Sequence, residues 1–476
     1  MQLKHIMLCI SAILTVSEFS ACKKWIEAEQ PLTSVTDVEV YIKDENAIAV
    51  LNGLYTNMSS SSILTGSAGM AVLTGLSADE WALYTGVTDA KYIAYYTNNL
   101  VSNYTQTSDD SFWNYFYNYI FICNKTLEGL AGADKITPAI KKQLLGEARF
   151  MRAFAYFYLV NLYGEVPIVT GTDYTANAMM PRAPIAKVYE QIIIDLKEAK
   201  DLLSDTYLKA DLRTTTDDRL RPTSWAATAL LARVYLYIGD WKNAETQATT
   251  LINNTTLFGL PALNNAFLKN STEAIWQLQP VIAGHNTEEA WTFIIPNTGL
   301  DATLYPVYLS DTLLHSFEPA DQRLSNWVDT VTVAGILYHY PYKYKSAILN
   351  DPVTEYLIVL RLDEQYLIRS EARAQLGNIS GAVADLNNIR QRAGLPGTTS
   401  DNRNALLNAI FHERQVELFT EWGHRWMDLK RSNRANELMK MVTPMKGGSW
   451  QTTDQLYPIP FADINSNNNL VQNPGY

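Results

Sequence analysis

Two stretches of this chain are built on the same plan around a glycine, and they constrain its fold more than any other feature. In the first, Leu231, Val234 and Ile238 run at steps of three and four into Gly239, and the period resumes at Trp241 with Ala244, Ala248 and Leu251. In the second, Leu367, Ser370 and Ala374 lead to Gly377, followed by Ala382, Leu386 and Ile389. Apolar residues at those steps fall on one face of a helix, and a glycine between two such runs marks a tight turn. Each stretch therefore predicts two short antiparallel helices. Setting Gly239 on Gly377 places Ala232 on Ser370, Ala244 on Ala382 and Leu251 on Ile389. Earlier in the chain, Leu144, Ala148, Met151, Ala155, Tyr158 and Leu162 form a longer stripe that stops at Gly164, with Pro167 just beyond. Val188, Ile192, Leu196, Ala199 and Leu203 make another.

The distances from each turn glycine to the small residues match those of tetratricopeptide-type repeats, which need small side chains where paired helices cross. The expected fold is mainly α: a tetratricopeptide-like helical repeat scaffold of three or four divergent helix pairs, interrupted by long irregular insertions. The helical frame is expected over approximately 35–60, 110–260 and 355–430. Residues 61–109 and 261–354 are rich in Gly, Asn, Thr, Pro, Trp and Tyr, with no sustained helical period, and a segment 431–476 closes the chain. Insertions on a rigid solenoid usually carry its binding surface.

The N-terminus has the layout of a secretory signal: Lys4, an apolar run from Ile6 to Val16, then small residues before Cys22. Residues 1–21 are expected to be removed, leaving a single domain over 22–476. Phe19-Ser20-Ala21-Cys22 resembles a bacterial lipobox, whose cysteine becomes an acylated N-terminus held durably in a membrane. Of the three cysteines, Cys9 leaves with the signal and Cys22 takes the lipid. Cys123 then remains alone in an apolar helical stretch, as a small hydrophobe. Stability must come from burial, which 47% hydrophobic composition in 476 residues can supply. A net charge of −11 argues against a nucleic-acid partner.

Five segments together resemble the SusD/RagB family of outer-membrane nutrient-uptake lipoproteins. They are Ala47 to Tyr55, Glu147 to Pro167, Leu360 to Leu395, Glu413 to Arg431 and Leu456 to Tyr476. They span nearly the whole chain, in the family's order, behind a lipidation cysteine. The resemblance implies a cell-surface, lipid-anchored protein of the outer membrane. It would bind an oligosaccharide or polysaccharide and pass it to a TonB-dependent transporter of the SusC type, without catalysis and without a cofactor. The sugar-contacting residues do not carry over, because they lie in variable loops.

The densest charged cluster is Glu413, Arg414, Glu417, Glu421, Arg425, Asp428, Lys430 and Arg431. Glu413, Glu417 and Glu421 fall on one helical face, and paired carboxylates invite a glycosidase hypothesis. Such enzymes need carboxylates facing each other across a cleft, so an ion-pair network is the better expectation here, and likewise for Glu147, Arg149 and Arg152. The histidines His285, His315, His339, His412 and His424 lack metal-ligand spacing, and no metal site is expected. His412 and His424 are expected at the surface or as caps. No phosphate-binding glycine loop and no acyl-hydrolase elbow is present.

Aromatic residues carry the functional reading. A sugar offers flat C–H patches and a rim of hydroxyls, which suit an exposed ring flanked by polar side chains. The candidates are Trp81, Tyr84, Tyr92 and Tyr95 in the first insertion, and Trp291, Trp327 and Tyr338 in the second, with Tyr340 and Tyr342 beside them. Phe112, Trp113, Phe116 and Tyr117 follow the helix-start signal Ser108-Asp109-Asp110 and are expected to be core. Two other functions compete on the same scaffold: capture of a peptide or glycopeptide, and an adaptor that binds partner segments.

Overall fold

The computed structural model describes residues 40–60, 63–103 and 111–476. The signal, Cys22 and the Ser108-Asp109-Asp110 start lie outside them. The first part of the chain gives α1 (Asp44–Ser60), α2 (Met70–Ser77), β1 (Trp81–Leu83) and α3 (Ala90–Tyr96). Next come α4 (Phe112–Ala131), α5 (Pro138–Tyr163), α6 (Ile185–Leu202), α7 (Ser224–Tyr237) and α8 (Trp241–Ile252). The second insertion holds β2 (Ala274–Leu278), α9 (Glu288–Phe293), β3 (Val307–Leu309), α10 (Gln322–Asn326) and the hairpin β4 (Val328–Val333) and β5 (Ile336–Pro341). After it follow β6 (Leu357–Arg361), α11 (Leu362–Gln375), α12 (Ile379–Arg392), α13 (Arg403–Glu417), α14 (His424–Arg431) and α15 (Ala435–Met445).

The helices form one continuous row in which each packs on the next: α4, α5, α6, α7, α8, α11, α12, α13. Helix α5 explains how the row begins. Its Pro138 sits in the first turn, where a missing N–H costs nothing. Gly164 then ends the helix at φ +75°, a conformation that a side chain would strain. Between them α5 is buried on nearly every side, from Leu144 through Tyr163, so it is the axis of the main core. The two glycine turns close as expected, with Gly239 at φ +74° and Gly377 at φ +84°. Ala232, Ala244, Ser370 and Ala382 are all fully buried where the helices cross, and the Ser370 hydroxyl donates to the Ala382 carbonyl at 2.7 Å. Cys123 is enclosed in α4.

The insertions, expected as long loops with short strands, hold short helices as well as strands. Residues 61–109 contain α2 and α3, and 261–354 contain short helices and strands. Elements this short give little periodic signal, since about two turns hardly repeat a stripe. The closing segment also holds a helix, α15. The second insertion leaves the row between α8 and α11, and antiparallel pairing of β2 with β6 staples its two ends together. Helix α4 is capped by Ser111, whose hydroxyl accepts from the Asn114 amide at 3.3 Å.

Candidate functional site

The charged cluster is a buried lattice. Arg361, at the end of β6, reaches Glu273 and Glu421 at 2.8 Å, Glu417 at 2.9 Å, and also Asp363. Arg323 holds Asp321, Glu413 and Glu417 at 2.7–2.8 Å, and Arg392 adds Glu417 and Glu273. Burial opposes ionisation of Glu417, but Arg392, Arg361 and Arg323 overcome it and hold its carboxyl well below the usual range. Burial pushes Asp363 and Glu413 the other way. Glu413 and Glu417 are fully buried between arginines, so no substrate reaches them. Carboxylate oxygens of Glu273, Asp363 and Glu417 lie within 4.8 Å of one another, and the Arg361 and Arg392 guanidinia supply the cations between them. Elsewhere Glu147 pairs with Arg221, Arg152 with Asp195, Arg414 with Asp428 and Arg425 with Asp79.

His424 departs from its expected place at the surface. It is buried at the start of α14, and burial together with nearby Arg233 and Arg414 keeps it neutral. His412 is half-buried against the Ser316 carbonyl at 2.7 Å.

The candidate aromatics divide by burial. Trp81 is 1% exposed, with its indole N–H on the Ala71 carbonyl and its ring against Phe293. Trp327 is enclosed with its N–H on the Leu263 carbonyl, and Lys343 lies over its ring. Tyr95 packs edge-on to Tyr457, and Tyr92 is buried beside it on α3. These four give a ligand no ring face, because their rings are buried in the core. Tyr84, Trp291 and Tyr338 remain partly exposed. Trp291 stands apart, stacked on His285 with ring centroids 3.9 Å apart.

Tyr84 and Tyr338 are drawn together by strand geometry. In the β1–β3 ladder, Trp81 opposes Leu309 and Leu83 opposes Val307, and this face meets the core. Successive strand residues point to opposite faces. Ala82 and its partner Tyr308 therefore face away from the core, and Tyr84, one step past the strand end, shares that side. The Tyr84 amide continues the ladder to the Pro306 carbonyl at 2.8 Å. The Tyr84 ring lies over Gly86, where a Cβ would come within 2.5 Å of it. Tyr338 of β5 then meets Tyr308 edge-on, with centroids 5.1 Å apart. Tyr96 joins from the end of α3, its hydroxyl close to the Leu83 backbone. Partial burial, with Tyr96, Tyr338 and Asp311 close by, raises the pKa of Tyr308. Lys446 lies 5.4 Å from the Tyr96 ring centroid, tied to the Leu76 and Ala78 carbonyls.

The result is a platform of four half-buried phenols: Tyr308 and Tyr338 rest on the small cluster of Ile295, Val331 and Tyr340, and Tyr84 and Tyr96 rest on the main core. Rings give flat apolar area and hydroxyls give donors and acceptors, the combination that a neutral polar ligand needs. Tyr96 and Tyr308 were not among the sequence candidates. Tyr308 lies on a strand of three residues, too short for its alternation to mark the outward member in the sequence.

Comparison with known proteins gives a consistent set of matches. The family model described as starch-binding, associating with outer membrane, matches residues 20–236, and the SusD family model matches residues 324–476. SusD-like protein P2 of Formosa agariphila is 28% identical over 444 residues, 79% of this chain and 83% of that protein. A laminarin-binding SusD-like protein of known structure superposes with a TM-score of 0.73 at 23% identity, over 90% of this chain and 99% of that one. Surface glycan-binding protein A from Bacteroides uniformis superposes at 0.75 with 21% identity, over 90% and 99%. At those identities the structural likeness establishes the fold.

Proposed function

The chain belongs to the SusD/RagB family, and from that premise we propose that it captures an oligosaccharide or polysaccharide on the tyrosine platform and delivers it, chemically unchanged, to a SusC-like TonB-dependent transporter. The observation that carries this reading is the half-buried tyrosine cluster on the outward side of the β1–β3 ladder, where Tyr308 and Tyr338 sit on strands, Tyr84 lies one step past a strand end and Tyr96 ends α3. The chain is a binding protein and not an enzyme. Proteins of the same fold include a laminarin-binding SusD-like protein and a surface glycan-binding protein. The two glycine-turn helix pairs are, in this proposal, divergent tetratricopeptide repeats whose role is to keep the platform rigid.

Affinity electrophoresis and calorimetry with soluble polysaccharides test the platform. Binding to at least one glycan is expected, and Tyr84→Ala with Tyr338→Ala should weaken it about tenfold or more, since each aromatic contact contributes about 0.5–1.5 kcal/mol. Binding to peptides with no response to any glycan overturns the sugar reading.

The partner and the location are part of the proposal. Cys22 would carry the lipid and tether the protein at the cell surface of the outer membrane. In cell fractionation, Cys22→Ser should move the protein from the membrane to the soluble fraction while glycan binding in vitro is kept. Retention in the membrane would remove the anchor.

A further inference from the structure

We propose that the protein carries a second sugar-binding site, in a cavity walled by α1, the 208–221 segment and the chain just after β2. The cavity measures about 480 Å³, within the range of small-ligand sites. It shares no lining residue with the tyrosine platform and is built from different elements.

Arg221 lies on its wall and is only 4% exposed. Glu147 holds this guanidinium by two bonds of 2.9 and 2.7 Å, and the Asn52 side-chain oxygen accepts a third. The Tyr55 ring packs 5.5 Å away, and its hydroxyl donates to the same Glu147 carboxylate at 2.9 Å. Gln143 donates to Glu147 as well, at 2.9 Å. These contacts fix the guanidinium in one orientation. An arginine has five N–H donors, and the bonds described use three of them. A desolvated, immobile donor group beside an open cavity is suited to bind a hydroxyl, because the ordering cost is already met by the fold.

The charges decide the ligand class. Glu147 neutralises Arg221, and Lys209 and Asp218, both lining residues, balance each other. The cavity therefore has no excess charge to draw an anion or a cation. Acceptors are present too: the Asp218 carboxylate has no hydrogen-bond partner among the described residues, and Gln279 is exposed at the same wall. Leu220 and Leu278 supply apolar surface between these polar groups. Fixed donors, free acceptors and apolar patches in a neutral cavity of this size fit a mono- or disaccharide.

Saturation-transfer NMR on the full-length protein with glucose, galactose, mannose, maltose and cellobiose is the test. A signal from at least one sugar is expected. It should persist in the Tyr84→Ala, Tyr338→Ala double variant, and fall at least tenfold in Thr56→Trp and in Ala210→Trp. Both tryptophans enter from exposed lining positions and leave the Arg221–Glu147 pair intact. Unchanged thermal unfolding of each variant confirms the fold. Silence with all five sugars, a signal that survives both tryptophans, or one lost with the tyrosine variants overturns the second site. Polysaccharide binding that depends on the tyrosines would stand in each of these outcomes, so the two sites are tested separately.

Discussion

Trp81 and Tyr84 are separated by two residues and take opposite roles, because a strand turns successive side chains to opposite faces. Trp81 faces the core, and Tyr84 lies on the outward side. Both were legible in the sequence as aromatics of a polar insertion; which faced the core was not, because a three-residue strand is too short to show its alternation. Trp327 shows the same limit, since the lysine and arginines packed over its ring come from β6, α12 and the second insertion, which no local pattern connects. Glu289 carries a prediction at this scale. It is buried on α9 with one carboxylate oxygen unpartnered, and burial raises its pKa to about 8. The folded state therefore keeps a proton that the unfolded chain releases near its ordinary carboxylate value, so the contribution to stability is complete at low pH and is lost as pH rises toward 8. Urea unfolding at pH 5, 7 and 9 should show the wild type losing stability relative to Glu289→Gln by on the order of a few kcal/mol. A difference that stays flat with pH would mean that Glu289 is ionised in the folded protein.

The paired helices were the most readable elements, for a physical reason. Twelve to fourteen residues are enough turns to repeat a stripe, and the crossing point admits only small side chains, so both the period and the spacing are recorded locally. The short helices α2 and α3 were missed because neither condition holds; α2 is buried at every position and so has no polar face to contrast. The crossing itself can be tested. Ala382 is fully buried, and its carbonyl accepts the Ser370 hydroxyl from the opposing helix. Ala382→Leu forces the pair apart and should cost about 1–3 kcal/mol by denaturant unfolding. The same change at Ala384, two residues on along α12 and exposed, should cost less than about 1 kcal/mol. Equal effects at the two positions would mean that the helices do not meet at that face.

At the scale of the molecule, the insertion that bears part of the platform is fastened to the helical row twice. The β2–β6 ladder joins its ends, and the arginine lattice joins its interior to α12 and α13 through Arg323, Lys343 and Glu273. Lys343 also donates to the Glu417 and Phe419 carbonyls at 2.8 and 2.9 Å, which ties the loop after the hairpin to the end of α13. Two such fastenings make frame and platform one cooperative unit, so a probe of tryptophan environment and a probe of helix content should report the same unfolding midpoint. Arg361 is the centre of the lattice, with four carboxylates around it. Removing it leaves buried negative charge without a partner, and a buried pair broken in this way typically costs 3–5 kcal/mol. Arg361→Ala should lower the unfolding free energy by that order. It should also weaken glycan binding, although Arg361 lies away from the tyrosines, because Tyr308 and Tyr338 depend on the insertion keeping its seat. If Arg361→Ala lost the stability but bound glycan with wild-type affinity at a temperature where it is folded, the platform would be self-supporting and the lattice would serve the frame alone.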